Sequence, residues 1–187
     1  MTTTLPQADT LAGLTPGTWT VDPAHSSVGF TARHLMLTKV RGHFSDFDAA
    51  VTIAADPLAS QLEASVRLAS VDTGNADRDA HLRTADFFGT DEHPEMTFRS
   101  TAIRPAADGY ELVGDLTIGG RTNPVTFSLD VEGVTTDPFG NTKAGFTAST
   151  DINRSDWGLS FNMVLETGGV LVSEKIHIDL DIQIIKN

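Results

Sequence analysis

The sequence predicts an all-β chain, an up-and-down antiparallel β-barrel of about eight strands with one short helix. Three observations carry that prediction. Apolar and polar residues alternate one by one over long stretches, turn residues punctuate those stretches at hairpin spacing, and a single segment reads as a helix. Strict alternation gives a strand one greasy face and one wet face, as antiparallel sheet requires; parallel strands, covered on both sides, read as unbroken apolar runs.

Residues 1–16 read as a flexible N-terminal tail and 17–187 as one domain. Asp22-Pro23 precedes a strand over about 26–34, with Val28, Phe30 and Ala32 on one face. The stretch 39–53 is too long for an ordinary strand and shifts phase between Phe44 and Phe47, which predicts a bulge or bend. Leu62, Ala64, Val66 and Leu68 alternate with polar neighbours, as do Tyr110, Leu112, Gly114, Leu116 and Ile118. Val125, Phe127, Leu129 and Val131 repeat the pattern, and so do Ile176, Ile178, Leu180, Ile182 and Ile184. Segments 96–103 and 143–152 add two more strands. Ala55-Asp56-Pro57, Asp108-Gly109, Gly119-Gly120 and the run Asp137 to Asn141 supply the turns.

The helix is expected over Asp77 to Phe88, with Asn75 as its N-cap and Asp77 and Asp79 in the first turn, where the helix dipole favours anions. Residues 153–173 are apolar without clean periodicity. So long a connection either closes one end of the barrel or serves as a lid or dimer contact. Arg154 and Trp157 stand where they could hold it against the rim.

Composition narrows the function. The 187 residues carry 13 Lys+Arg against 25 Asp+Glu, a net charge of −12, with 40% hydrophobic and 20% charged residues. That is a folded globular chain, and its acidic balance opposes sequence-independent nucleic-acid binding or docking on anionic membrane. No apolar run is long enough for a transmembrane helix. There is no Cys, so disulfides, thiolate nucleophiles and Cys-built zinc sites are excluded. The N-terminus lacks a basic region followed by an apolar core, so a cytoplasmic location is expected.

A barrel of about eight strands holds either its own side chains or one small ligand. Here small inward residues (Ala32, Ala64, Gly114, Ala144, Ala148) stand among Phe30, Phe98, Phe127 and Phe146, which favours a dry cavity for an apolar guest. The expected lining is Val28, Phe30, Ala32, Phe98, Leu112, Leu116, Phe127, Leu129, Phe146, Ile178 and Leu180.

Four ordered blocks resemble the YceI-like family of polyisoprenoid-binding proteins. They are the run from Trp19 to Phe30 with Arg33-His34 and Gly42-His43-Phe44; Asp77-Arg78, His81-Leu82 and Asp86-Phe87-Phe88 through Pro94 to Phe98; Gly114 to Ile118 with Thr122 to Val125; and Ile152 to Leu159 with Leu165 to Val172. The resemblance implies a lipocalin-like barrel with one helix beside the sheet, holding a long isoprenoid or fatty-acyl chain. It further implies a homodimer and a non-enzymatic role in carriage, storage or sequestration, with no cofactor besides the lipid.

His34 falls on the inward face of its strand, either as a hydrogen-bonded core histidine or as a contact to the lipid's polar head. The Arg78/His81 pair on the helix is the other candidate for the head, and Trp157 joins the ligand-binding set from the closing loop. Six histidines invite a metal, but His177-x-Asp179 lies on a wet face without a third ligand nearby, so no metal site is expected. No G-x-S-x-G elbow or phosphate loop is present. The alternative, an enzyme acting on a small apolar or lipid substrate, requires two or more titratable groups converging in the cavity.

Overall fold

A computed structural model describes Leu11 and residues 13–187. The strands are β1 (Gly17–Val21), β2 (Ser27–His34), β3 (Thr38–Phe44), β4 (Phe47–Ile53), β5 (Gln61–Arg67), β6 (Val71–Asp72), β7 (Glu95–Pro105), β8 (Tyr110–Ile118), β9 (Arg121–Thr136), β10 (Thr142–Asn153) and β11 (Lys175–Lys186). The helix α1 (Ala76–Arg83) lies between β6 and β7. All the pairings run antiparallel.

These pieces make eight barrel strands, because the first three are each broken in two. A 3-10 turn at Pro23–His25 separates β1 from β2, Ser45-Asp46 separates β3 from β4, and a 3-10 turn at Leu68–Ser70 separates β5 from β6. The halves keep matching partners: β1 pairs with β4 and β4 with β5, while β2 pairs with β3 and β3 with β6. The break at Ser45-Asp46 is the phase shift expected between Phe44 and Phe47. β11 closes the barrel by pairing through Ile184–Lys186 with β1 and through 177–181 with β2.

Local chemistry explains the breaks and turns. Asp22 accepts a hydrogen bond from the Ala24 backbone N–H at 3.1 Å and from Lys143 Nζ at 3.4 Å, and its other contact is His25 Nδ1 at 2.8 Å. This fixes the turn between β1 and β2. Gly119 and Gly120, with φ of 58° and 76°, turn β8 into β9, a conformation that glycine adopts without a Cβ clash.

α1 begins where expected, with the Asn75 side chain accepting from the Arg78 N–H at 3.0 Å. It ends at Arg83, not at Phe88. Thr84 is extended (φ −73°, ψ 169°), and the chain folds under the helix so that the Phe88 N–H reaches the Leu82 carbonyl at 3.0 Å. Packing Phe88 against the barrel end outweighs continuing a short helix.

That end of the barrel is capped by α1, the segment after it and the 154–174 connection. Phe44, Val66, Leu68 and Val71 are buried there, with Phe30, Leu82 and Phe88 packed on them. The opposite end, where β1 begins, holds a second cluster of Leu14, Trp19, Ile53, Ala144 and Ile184. Positions 1–10 and 12 of the expected tail lie outside the described residues. The described part is held down: Leu14 is 8% exposed, and Trp19 Nε1 donates to the Thr15 carbonyl at 3.1 Å.

Candidate functional site

Between the two end clusters lies a cavity in which about 220 Å³ is open to the centre of a water-sized guest. Its walls come from every barrel strand, because each alternating strand turns its apolar face inward. Val28, Phe98, Leu112, Leu116, Phe127, Leu129, Phe146, Ile178 and Leu180 line it as expected. Ala49, Ala64 and Ala148 leave the space between the larger groups. The cavity runs toward the end where β1 begins, reaching Leu11, Leu14, Pro57 and Leu58. These four carry no alternation signal, and sequence reasoning missed them.

Two glycines let phenyl rings lie flat on a neighbouring strand. A Cβ on Gly114 would stand 2.3 Å from Phe98 Cζ, and one on Gly42 would stand 2.4 Å from Phe30 Cζ. Phe98 so placed meets Phe127 edge-on at 5.5 Å between ring centres. Phe30 meets Phe44 at 5.6 Å, and Phe44 meets Phe88 at 5.9 Å. Phe30 therefore belongs to the stack that plugs the capped end rather than to the cavity wall.

Ala32 and His34 do not line the cavity either. Their alternation is right, but β2 leaves β11 after Thr31 and continues beyond the barrel with β3 alone. Ala32 borders a groove outside the barrel, and His34 is exposed, bridging by backbone to Val172. Arg78 is committed to Thr73, with Nε donating to the hydroxyl at 2.7 Å and a second nitrogen donating to the carbonyl at 2.9 Å. His81 pairs with Asp86 at 2.9 Å and packs between Phe87 and Phe161 on the cap. Neither reaches the cavity.

Trp157 is buried beneath the cap, its Nε1 donating to the Leu116 carbonyl at 2.9 Å. Arg154, 4% exposed, fastens the same loop: its guanidinium donates to the carbonyls of Leu159 at 2.6 Å, Phe161 at 2.9 Å and Ser173 at 2.9 Å. Burial presses the Arg154 pKa down, and Glu174 at 3.6 Å opposes that shift. The long connection thus closes the barrel end.

The polar residues in the lining are Asp48, Ser60, Gln61, Thr97 and Tyr110, and no Lys, Arg or His is among them. Asp48, Gln61 and Thr97 are exposed, and the Ser60 hydroxyl already accepts from the Ala54 N–H at 3.1 Å. Among the described residues, no three His, Cys, Asp or Glu side chains gather to hold a metal ion. Such a cavity offers dispersion and water exclusion, with little to orient a polar group inside it.

The comparisons agree with this architecture. The crystal structure of Burkholderia cenocepacia BcnA superposes with a TM-score of 0.76 at 25% identity, covering 87% of this chain and 98% of that one. The Campylobacter jejuni YCEI protein gives 0.71 at 26% identity over 83% of this chain and 90% of its own. A domain from Saccharophagus degradans described as polyisoprenoid binding shares the fold, with a TM-score of 0.69 at 14% identity over 90% of this chain and 98% of its own. A UPF0312 protein of Staphylococcus epidermidis is 39% identical over 160 residues, 84% of this chain and 91% of that protein. One from Staphylococcus aureus is 39% identical over 163 residues, 86% and 93% of the two chains. The YceI-like domain matches residues 19–184, nearly the whole barrel, and the chain belongs to that family.

Proposed function

We propose that the protein binds the chain of a polyisoprenoid or a similar long-chain lipid in this cavity, for carriage, storage or sequestration rather than chemical conversion. The observation that carries the reading is the continuous apolar wall from Ile178 to Ile184, without one Lys, Arg or His in the lining. The cavity volume is about 220 Å³. That is below the roughly 300–1,000 Å³ usual for ligand pockets, so it suits a narrow extended chain rather than a bulky guest. Each methylene moved there from water contributes about 0.8 kcal/mol, so about fifteen carbons outweigh the several kcal/mol lost on immobilising the guest. A charged head has no partner inside and stays outside the lining.

Organic extraction and native mass spectrometry of the purified protein test this. The expected result is a long-chain lipid released in near-stoichiometric amount, and its loss in an Ala64→Phe variant that fills the cavity. Ala64 faces inward across from Ala49 and Phe98, so the new ring takes the guest's place. A protein that carries no lipid and takes none up when offered polyisoprenoid would overturn the proposal.

A further inference from the structure

Met36, Leu37, Phe139, Met163 and Val164 are the large hydrophobic residues that stand exposed among the described residues, and four of these five collect at the capped end. Met36 and Leu37, 52% and 76% exposed, form the tip of the β2–β3 hairpin, and Met163 and Val164 belong to the closing loop. The backbone ties the two tips together: the Leu35 N–H donates to the Leu171 carbonyl at 2.9 Å, and the Leu171 N–H donates to the Met163 carbonyl at 3.0 Å. The hairpin turns through two left-handed residues, Leu35 at φ 53° and Met36 at φ 57°. Asn and Gly adopt that conformation at lower cost, so the turn holds large apolar side chains out to solvent against its own backbone preference.

Behind this tip, Arg33, Lys39, Arg41 and Lys175 line one outer groove, which also contains Met36, His177 and a single carboxylate, Asp179. Among the described residues, Arg33, Lys39 and Arg41 have no ion pair, and Lys175 has only Asp151 at 3.8 Å. Asp151 is also held by His177 at 2.7 Å, Glu174 faces Arg154, and Glu166 is the acid in the loop tip itself. Asp77, Asp79, Asp86, Asp91 and Glu92 belong to α1 and the segment after it and do not line the groove, so the chain's −12 charge does not describe the groove itself. At physiological salt, charges more than about 8 Å apart are largely screened, so the local cations set what the groove attracts.

We propose that the capped end docks on an anionic phospholipid bilayer, with Met36, Leu37, Met163 and Val164 entering the acyl boundary and the four cations meeting lipid phosphates. An apolar tip with a cationic groove behind it matches the two signals that reversible membrane attachment uses. Self-association through the same face would set these cations against their own copies, which like-charge repulsion opposes. The proposal is independent of the cavity's guest, since docking can be measured with the barrel filled or empty.

Flotation of the full chain with vesicles tests it. Binding is expected to phosphatidylcholine vesicles carrying phosphatidylglycerol, but not to phosphatidylcholine alone, and it should weaken as salt rises. Each cation is worth about five-fold, so Arg33→Gln, Lys39→Gln and Arg41→Gln together should weaken binding about 100-fold. Leu35→Asn with Met36→Gly should raise the melting temperature by relieving the turn while reducing vesicle binding, which a merely structural role for these residues does not predict. Absent or charge-indifferent vesicle binding, or a triple variant that binds unchanged, would overturn the proposal. So would self-association that the same substitutions abolish in a protein that ignores vesicles.

Discussion

Emptying the barrel should cost the protein much of its thermal stability. A void in a protein core withholds roughly 24 cal/mol per Å³ relative to a filled one, so the 220 Å³ cavity corresponds to about 5 kcal/mol. For a domain of this size, 1 kcal/mol moves the melting temperature by about 2–4 °C, which sets the expected difference between loaded and extracted protein at about 10–20 °C. Calorimetry before and after organic extraction reads this directly, and adding back a long-chain polyisoprenoid should restore the higher transition. Ala64→Phe should melt above the extracted parent and show little response to added lipid, because its ring already occupies the space. Equal melting temperatures for loaded and extracted protein would refute the reasoning, as would a full lipid-induced rise in Ala64→Phe.

Three further outcomes follow from other contacts. Arg154→Ala removes the guanidinium that three loop carbonyls share and should cost roughly 3 kcal/mol, with Arg154→Lys only partly compensating because it lacks the planar fork; calorimetric melting curves of both variants check this. Gly42→Ala should destabilise by about 1–3 kcal/mol through the Phe30 ring, and Phe30→Leu added to it should recover much of that loss in urea unfolding. Asp22 is held below its ordinary carboxylate value of 3.8, first by its hydrogen bond to His25 and also by the charge of His25 and the hydrogen bonds from Lys143 and the Ala24 N–H, against the opposing effect of burial. A depressed folded-state pKa contributes stability above the unfolded value and loses it as pH falls through the folded one. Melting temperature should therefore drop below about pH 4, and Asp22→Asn should shallow that drop.

The strands were legible because alternation survives wherever a wall separates a hollow from water. Tyr110 to Ile118 shows this cleanly, with its strand bounds and inward residues both readable. The broken strand at Ser45-Asp46 was legible too, since a bend that keeps both halves facing inward must shift phase. Phe30, Ala32 and His34 mark where this reasoning ends: alternation tells which way a side chain points, not what stands opposite it. Phe30 points into a ring stack supplied partly by Phe88, from a segment read as helix. Ala32 and His34 point the inward way on a stretch that has left the barrel. The cations of the outer groove were individually visible, but their grouping depends on how β2, β3 and β11 lie together, and a net charge averages it away.

The double pairing of β11 also bears on how the chain folds. Besides their sequence-near partners β4 and β3, β1 and β2 find their second neighbour only in residues 177–186, nearly the full length away. Contacts of such high sequence separation are made late and slowly. Until that seam is sewn, β1, β2 and β10 present bare edges to one another and to other copies. Truncation or mispairing of this last strand should thus act first on yield and aggregation, before any effect on what the barrel holds.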